Sequence, residues 1–131
     1  MAFTHTVGIT YRTAAGTIAS TTDSYNADGE VNLESVIAAG ANNAEHQIAF
    51  DPADTKSMVL FSNQALTIRT NNNASPIDTI VLSANKQVVW NEDHTEDIPF
   101  NNAVPITKFY ITNAGNNNAA MKAYFLQDLT P

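Results

Sequence analysis

The densest chemistry-bearing stretch is Asn91-Glu92-Asp93-His94-Thr95-Glu96-Asp97, which sets four carboxylates and one imidazole within seven residues. A hard cation such as calcium favours such oxygens. The stretch lacks the glycine and the alternating acidic spacing of a calcium loop, so it reads as a solvated acidic loop that could also meet a basic partner. Asp51 and Asp54 flank Pro52 in the manner of a turn, with Asp51 bonding back to the main chain and Pro52 fixing φ. A paired-carboxylate hydrolase would need two acids across a cleft, and nothing in the spacing places them so.

His5, His46 and His94 are far apart and share no metal-ligand spacing within one element. His5 reads as a hydrogen-bonded histidine near the rim of a sheet. No nucleophile signature and no glycine-rich phosphate loop are present. The sequence has no cysteine, which excludes disulfides, zinc-thiolate sites and thiol catalysis. Trp90, the only tryptophan, could stack on a sugar, but Val88 and Val89 before it favour an anchor at the core edge. Asn73-Ala74-Ser75 matches a glycosylation sequon that has no secretory signal beside it. These residues imply no cofactor, no bound metal and no catalysis.

The elements that would position them are strands. The 131 residues suit one domain, and charged residues make up only 15% against a usual share of about 25%. Neutral polar residues replace them, with sixteen Asn and fifteen Thr. Thr suits the pleated surface of a strand, and Asn suits turns. Phe3, His5, Val7, Ile9 and Tyr11 alternate with Thr4, Thr6, Thr10 and Arg12, the period of a half-buried strand. Ala14-Ala15-Gly16 breaks it, and a weaker strand follows over Thr17–Tyr25. Asn26-Ala27-Asp28-Gly29 predicts a tight hairpin turn, with Glu30–Ala38 as the return strand and a short helix as its competitor.

Further strands are expected at Glu45–Phe50, Thr55–Ser62, Ala65–Thr70, Thr79–Leu82, Gln87–Trp90, Thr107–Thr112 and Ala120–Leu126. Turns recurring about every 8–12 residues point to an all-β fold, a β-sandwich or jelly roll of about 8–10 short, mainly antiparallel strands. Met58, Leu60, Leu66, Ile68, Ile80, Leu82, Val88, Trp90, Phe109, Ile111, Met121, Ala123 and Phe125 form the expected core. We read residues 1–131 as one domain. Residues 45–127 carry the main core, and residues 1–44 form an N-terminal strand and hairpin that could clasp a partner.

The net charge of −7 disfavours nucleic acid and anionic membrane as ligands. No basic, apolar leader opens the chain, and no apolar run reaches the roughly 18 residues of a membrane span. The expectation is a protein made in the cytoplasm that stays soluble.

Leu60–Leu126, about half of the chain, resembles small structural proteins of tailed bacteriophages. The carrying segments are Ala65-Leu66-Thr67-Ile68-Arg69-Thr70-Asn71, Ala74-Ser75-Pro76, Asp78-Thr79-Ile80-Val81-Leu82, Lys86-Gln87-Val88-Val89-Trp90, Pro99-Phe100, Ile106 to Gly115, and Ala123-Tyr124-Phe125-Leu126. The resemblance is most like capsid decoration, or cement, proteins. It implies a non-enzymatic virion protein on the capsid exterior that binds the major capsid protein, with a homo-oligomer, a trimer first, as its form. The alternatives are a tail or head–tail component, or a carbohydrate- or receptor-binding module with an aromatic platform near Trp90, Tyr11 or Tyr25. The expected partner contacts are Phe3, Val7 and Ile9 in the first strand, and Glu92, Asp93, Glu96 and Asp97 in the acidic loop. An enzyme reading would require a concave site that brings His94 or Asp93 beside another polar group.

Overall fold

The computed structural model describes residues 2–94, 96–101 and 104–129, with the side chain of Ile18 also outside the description. Its strands are β1 (Phe3–Thr13), β2 (Gly16–Ala27), β3 (Gly29–Ile37), β4 (Ala44–Phe50), β5 (Thr55–Ser62), β6 (Leu66–Thr70), β7 (Thr79–Leu82), β8 (Val88–Asn91), β9 (Ile106–Thr112) and β10 (Ala119–Gln127). Pro52–Asp54 forms one turn of 3-10 helix. Asp51 caps it, its Oδ1 accepting from Ala53 N at 3.0 Å, so the turn chemistry expected of Asp51 and Pro52 is present in helical form.

The eight strands β3 to β10 form two four-stranded antiparallel sheets, ordered β3-β10-β5-β8 and β4-β9-β6-β7. The pairing is nested around the β6–β7 connection. β6 pairs with β7, β5 with β8, β4 with β9 and β3 with β10. The two sheets pack face to face as a sandwich, because each strand presents one apolar face. In β5, Met58 and Leu60 are buried while Val59 and Phe61, pointing the other way, are half-covered. The alternation in β6 and β7 places Leu66, Ile68, Ile80 and Leu82 in the same core.

Four phenylalanines join the sheets. The rings of Phe50 and Phe125 stack with centroids 3.8 Å apart, and Phe100 and Phe109 pack against both. Burying such a side chain contributes about 1.5–3 kcal/mol. Phe50, Phe100, Ile37, Ile48, Ile98 and Ile106 enlarge the core beyond the alternating set read from sequence. Val88 and Trp90 are only partly buried, because β8 is a sheet edge.

Asparagine closes the loops. Asn43, Asn71 and Asn85 take left-handed φ of 51°, 64° and 61°, a conformation asparagine tolerates better than most residues. Asn71 Oδ1 accepts from Thr107 N at 2.8 Å, and its Nδ2 donates to Pro105 O at 3.0 Å, tying the end of β6 to the start of β9. Asn113 is fully buried, and its Nδ2 donates to Ile37 O and Asn117 O at 3.1 and 2.9 Å. Its Oδ1 accepts from Gly115 N at 3.1 Å. The two Thr-Asn pairs, Thr70-Asn71 and Thr112-Asn113, thus both end in a side-chain staple between loops.

One expectation is overturned. Asn26-Ala27-Asp28-Gly29 is not a hairpin turn, since β2 pairs with β1 while β3 pairs with β10. Gly29 does not take a positive φ. Asp28 Oδ1 instead accepts from Leu129 N at 2.7 Å, and Leu129 packs where a Gly29 side chain would stand. Asp-Gly serves here as a junction at which the chain leaves one sheet for another. The true N-terminal hairpin turns at Ala14-Ala15, with Thr13 opposite Gly16 and Gly16 at φ 129°, where a side chain would be strained. The competing helix over 30–38 is absent, and β3 is a strand.

Candidate functional site

The N-terminal hairpin is a two-stranded ribbon, hydrogen-bonded as a sheet of its own. Its faces differ because the pleat sorts its residues. One face is a ladder of cross-strand polar pairs. Thr4 Oγ1 donates to Asn26 Oδ1 at 2.6 Å, Thr6 meets Ser24 at 3.4 Å, and Thr10 meets Ser20 at 3.2 Å. The other face carries Phe3, His5, Val7, Ile9 and Tyr11 on β1, opposite Ala27, Tyr25, Asp23, Thr21 and Ala19 on β2.

Two polar contacts and one apolar seat hold the base. His5 Nε2 lies 3.0 Å from Glu30 Oε2 at the start of β3. The Tyr25 hydroxyl donates to Asp93 Oδ2 at 2.9 Å. Burial, the bond to Asp93 and its negative charge push the Tyr25 phenol up to about 12. Phe3 is half-buried in a hollow of about 510 Å³ shared with Val31, Phe50, Ile106 and Leu129.

Between the ribbon and the outward side of the β3-β10-β5-β8 sheet runs a cleft of about 800 Å³. Its polar walls are His5, Glu30, Lys86, Gln87, His94 and Tyr124, and its apolar patches include Val7, Val59 and Val89. The Tyr124 hydroxyl donates to Glu34. His94 Nδ1 accepts from Asn91 N at 3.2 Å, so that nitrogen is engaged. Glu30 orients the imidazole of His5 as an acid orients a base, but among the described residues no hydroxyl nucleophile is bonded to that imidazole.

The predicted contact residues separate into three groups. Phe3 and Val7 are half-buried under the ribbon, while Ile9 is 56% exposed. Glu92, Asp93, Glu96 and Asp97 are exposed, and Thr95 lies outside the described residues. Asp93 is bonded to the ribbon through Tyr25. Asn91 shapes the loop, its Oδ1 accepting from Asp93 N at 3.1 Å. Among the described residues, no group of three or more histidines and carboxylates could hold a metal ion.

Of the expected aromatic platform, only Tyr11 stands open, at 65% exposure, whereas Tyr25 is buried. Trp90 packs against the core and donates its indole N–H to Glu96 O at 2.9 Å. The sequence reading missed Tyr25 and Glu30 as ribbon anchors. The available signal was the register itself, since His5 opposes Tyr25 once β1 and β2 are paired at Ala14-Ala15.

No helix of the described residues is long and apolar enough to cross a membrane. No family model matches the chain, and no curated protein or solved structure is significantly similar to it.

Proposed function

We propose that this chain is a non-enzymatic virion structural protein of a tailed bacteriophage. In this reading it is a capsid decoration protein, a homotrimer that binds the assembled major-capsid-protein shell from outside. The observation that supports the reading is the strand order. We read the sheet orders β3-β10-β5-β8 and β4-β9-β6-β7 as the nested pairing of a jelly roll, an architecture used by viral capsid domains and lectins. The projecting ribbon and the Thr-Asn staples of the resembling segment agree with it. Shell stabilisation would come from many equivalent weak contacts repeated over a symmetric lattice.

Quantitative mass spectrometry of purified particles tests the proposal. Decoration requires on the order of hundreds of copies per shell, set by capsid symmetry. About a dozen copies or fewer would reassign the chain to a neck or tail part, and absence from particles would refute the virion reading.

The cleft favours one second reading, a carbohydrate- or receptor-binding module. Its walls combine hydrogen-bonding groups of both charges with apolar patches, as a saccharide site requires. A glycan array probed with the wild type and with Lys86→Ala reads this directly. Hits lost in the variant would support it, and an array without hits would remove it.

A further inference from the structure

The outer half of the ribbon is largely uncovered by its own chain, with Gly8, Ile9 and Thr10 bordering the cleft above the β3-β10-β5-β8 sheet. From Gly8 to Thr13, and from Gly16 to Ser24 apart from Ile18, every residue is exposed. Yet the face that is half-buried at the base, through Phe3, His5 and Val7, continues outward as Ile9 and Tyr11, at 56% and 65% exposure. A two-stranded ribbon is marginal alone in water.

Neither ribbon edge is guarded. β1 and β2 pair only with each other among the described residues, and their sequence contains no proline and no lysine. Prolines and edge lysines are the usual protection against strand addition, and here Arg12 and Asp23 are the only charged residues of the two strands with histidine uncharged.

Charge decides what can cover this face. Within Phe3–Ala27, Arg12 and Asp23 cancel, so the ribbon is neutral with histidine uncharged. The rest of the chain holds five of the six Lys and Arg residues and twelve of the thirteen Asp and Glu residues, a balance of 5 − 12 = −7. Two copies meeting through their sandwiches would oppose like charges. Two copies meeting through their ribbons would not. A strongly basic partner would be drawn to the acidic sandwich instead.

We infer that the outer ribbon is a self-association surface whose occupant is the ribbon of a second copy, with Ile9 and Tyr11 buried between the two. This deepens the homo-oligomer part of the proposed function by naming its surface, and it rests on that part alone. A trimer forms if the three ribbons meet around a threefold axis, each copy touching its two neighbours through the two sides of this one neutral face.

Sedimentation velocity of the isolated protein from micromolar to millimolar concentration is the test. The wild type is expected to sediment as a closed oligomer of the 14.1 kDa chain. The Ile9→Glu/Tyr11→Glu variant is expected to weaken association at least tenfold while keeping the wild-type circular dichroism spectrum and unfolding midpoint. Thr6→Glu, on the hydroxyl face, should leave the oligomer intact. Ile9→Cys supplies an independent readout, since the chain has no cysteine and mild oxidation should link copies to one another. A monomeric wild type, or an oligomer that survives the double variant, overturns the inference. Protection of the ribbon from hydrogen exchange only when capsid shells are added to a monomeric protein would also overturn it, by assigning the face to a different partner. Shell binding itself is read by copy number on particles, so the two proposals fail separately.

Discussion

The phenol of Tyr25 donates to Asp93 across 68 residues of sequence, and this one bond ties the N-terminal ribbon to the acidic loop. The relationship gives the Asp93 carboxylate a structural task. It also makes the ribbon base sensitive to alkali. The Tyr25 phenol is raised to about 12, so its neutral form is favoured in the folded state. The stabilisation is complete below the ordinary phenol value near 10 and is lost as pH rises from there through about 12.

Tyr25→Phe is therefore expected to cost about 1 kcal/mol at neutral pH, the usual net worth of such a bond. Urea titration measures the loss. The same titration at pH 9 and pH 11.5 should show wild type and variant converging at the higher value. Equal stability at both values would remove the bond from the account of ribbon anchoring.

Asn71 allows backbone and side-chain contributions to be separated. Its φ of 64° costs glycine nothing, so Asn71→Gly removes the side-chain bonds to Thr107, Lys108 and Pro105 without straining the backbone. A loss of about 1–2 kcal/mol is expected for that variant. Asn71→Ala should lose about 1 kcal/mol more, because alanine must also be forced into the left-handed region. The order of denaturation midpoints, wild type above glycine above alanine, checks the assignment.

Phe125 lies at the centre of the aromatic cluster and is fully buried. Phe125→Ala should cost about 3–5 kcal/mol through lost transfer energy and the cavity left behind. In a domain of ordinary stability this is a large share of the total. Phe61→Ala, on the half-covered outer face of β5, should cost about 1 kcal/mol. Equal effects at the two positions would mean that the outer face is as tightly packed as the core.

Burial lowers the pKa of His46 on β4 below the ordinary imidazole range, since desolvation disfavours its charged form. The neutral form is favoured on folding, so this contribution is present above pH 6.5 and is lost as pH falls through the lowered value. An NMR titration of the ring protons should place the His46 midpoint below 6.5. His46→Gln should flatten the decline in stability on the acidic side of neutrality.

Much of the fold is legible in the chain because each strand encodes its own faces. Eight of the ten strands, from β3 to β10, lie within a residue or so of where alternation and turn residues place them. Leu66-Thr67-Ile68-Arg69 can bury one side only as a strand, and Asp51-Pro52 or Asn71-Asn72 can only interrupt one. The candidate site was less legible. Ile9 and the acidic loop are visible in the sequence, but Tyr25 and Glu30 lack any local mark of an anchor. Their role comes from partners at positions 93 and 5.

The Asp28-Gly29 step shows where local reading stops. A hairpin there is sound turn chemistry, yet β3 gains more by pairing with β10 over nine residues and closing the sandwich around Ile37 and Phe125. Sequence alone determined the all-β class, the strand boundaries, the asparagine-closed loops and the neutrality of the ribbon within an acidic chain. Tertiary structure alone decided the nested pairing, the detachment of the ribbon and the cleft beneath it. The physical reason is that periodicity states which side of a strand is apolar, whereas the choice of neighbour is made by burying all those sides at once.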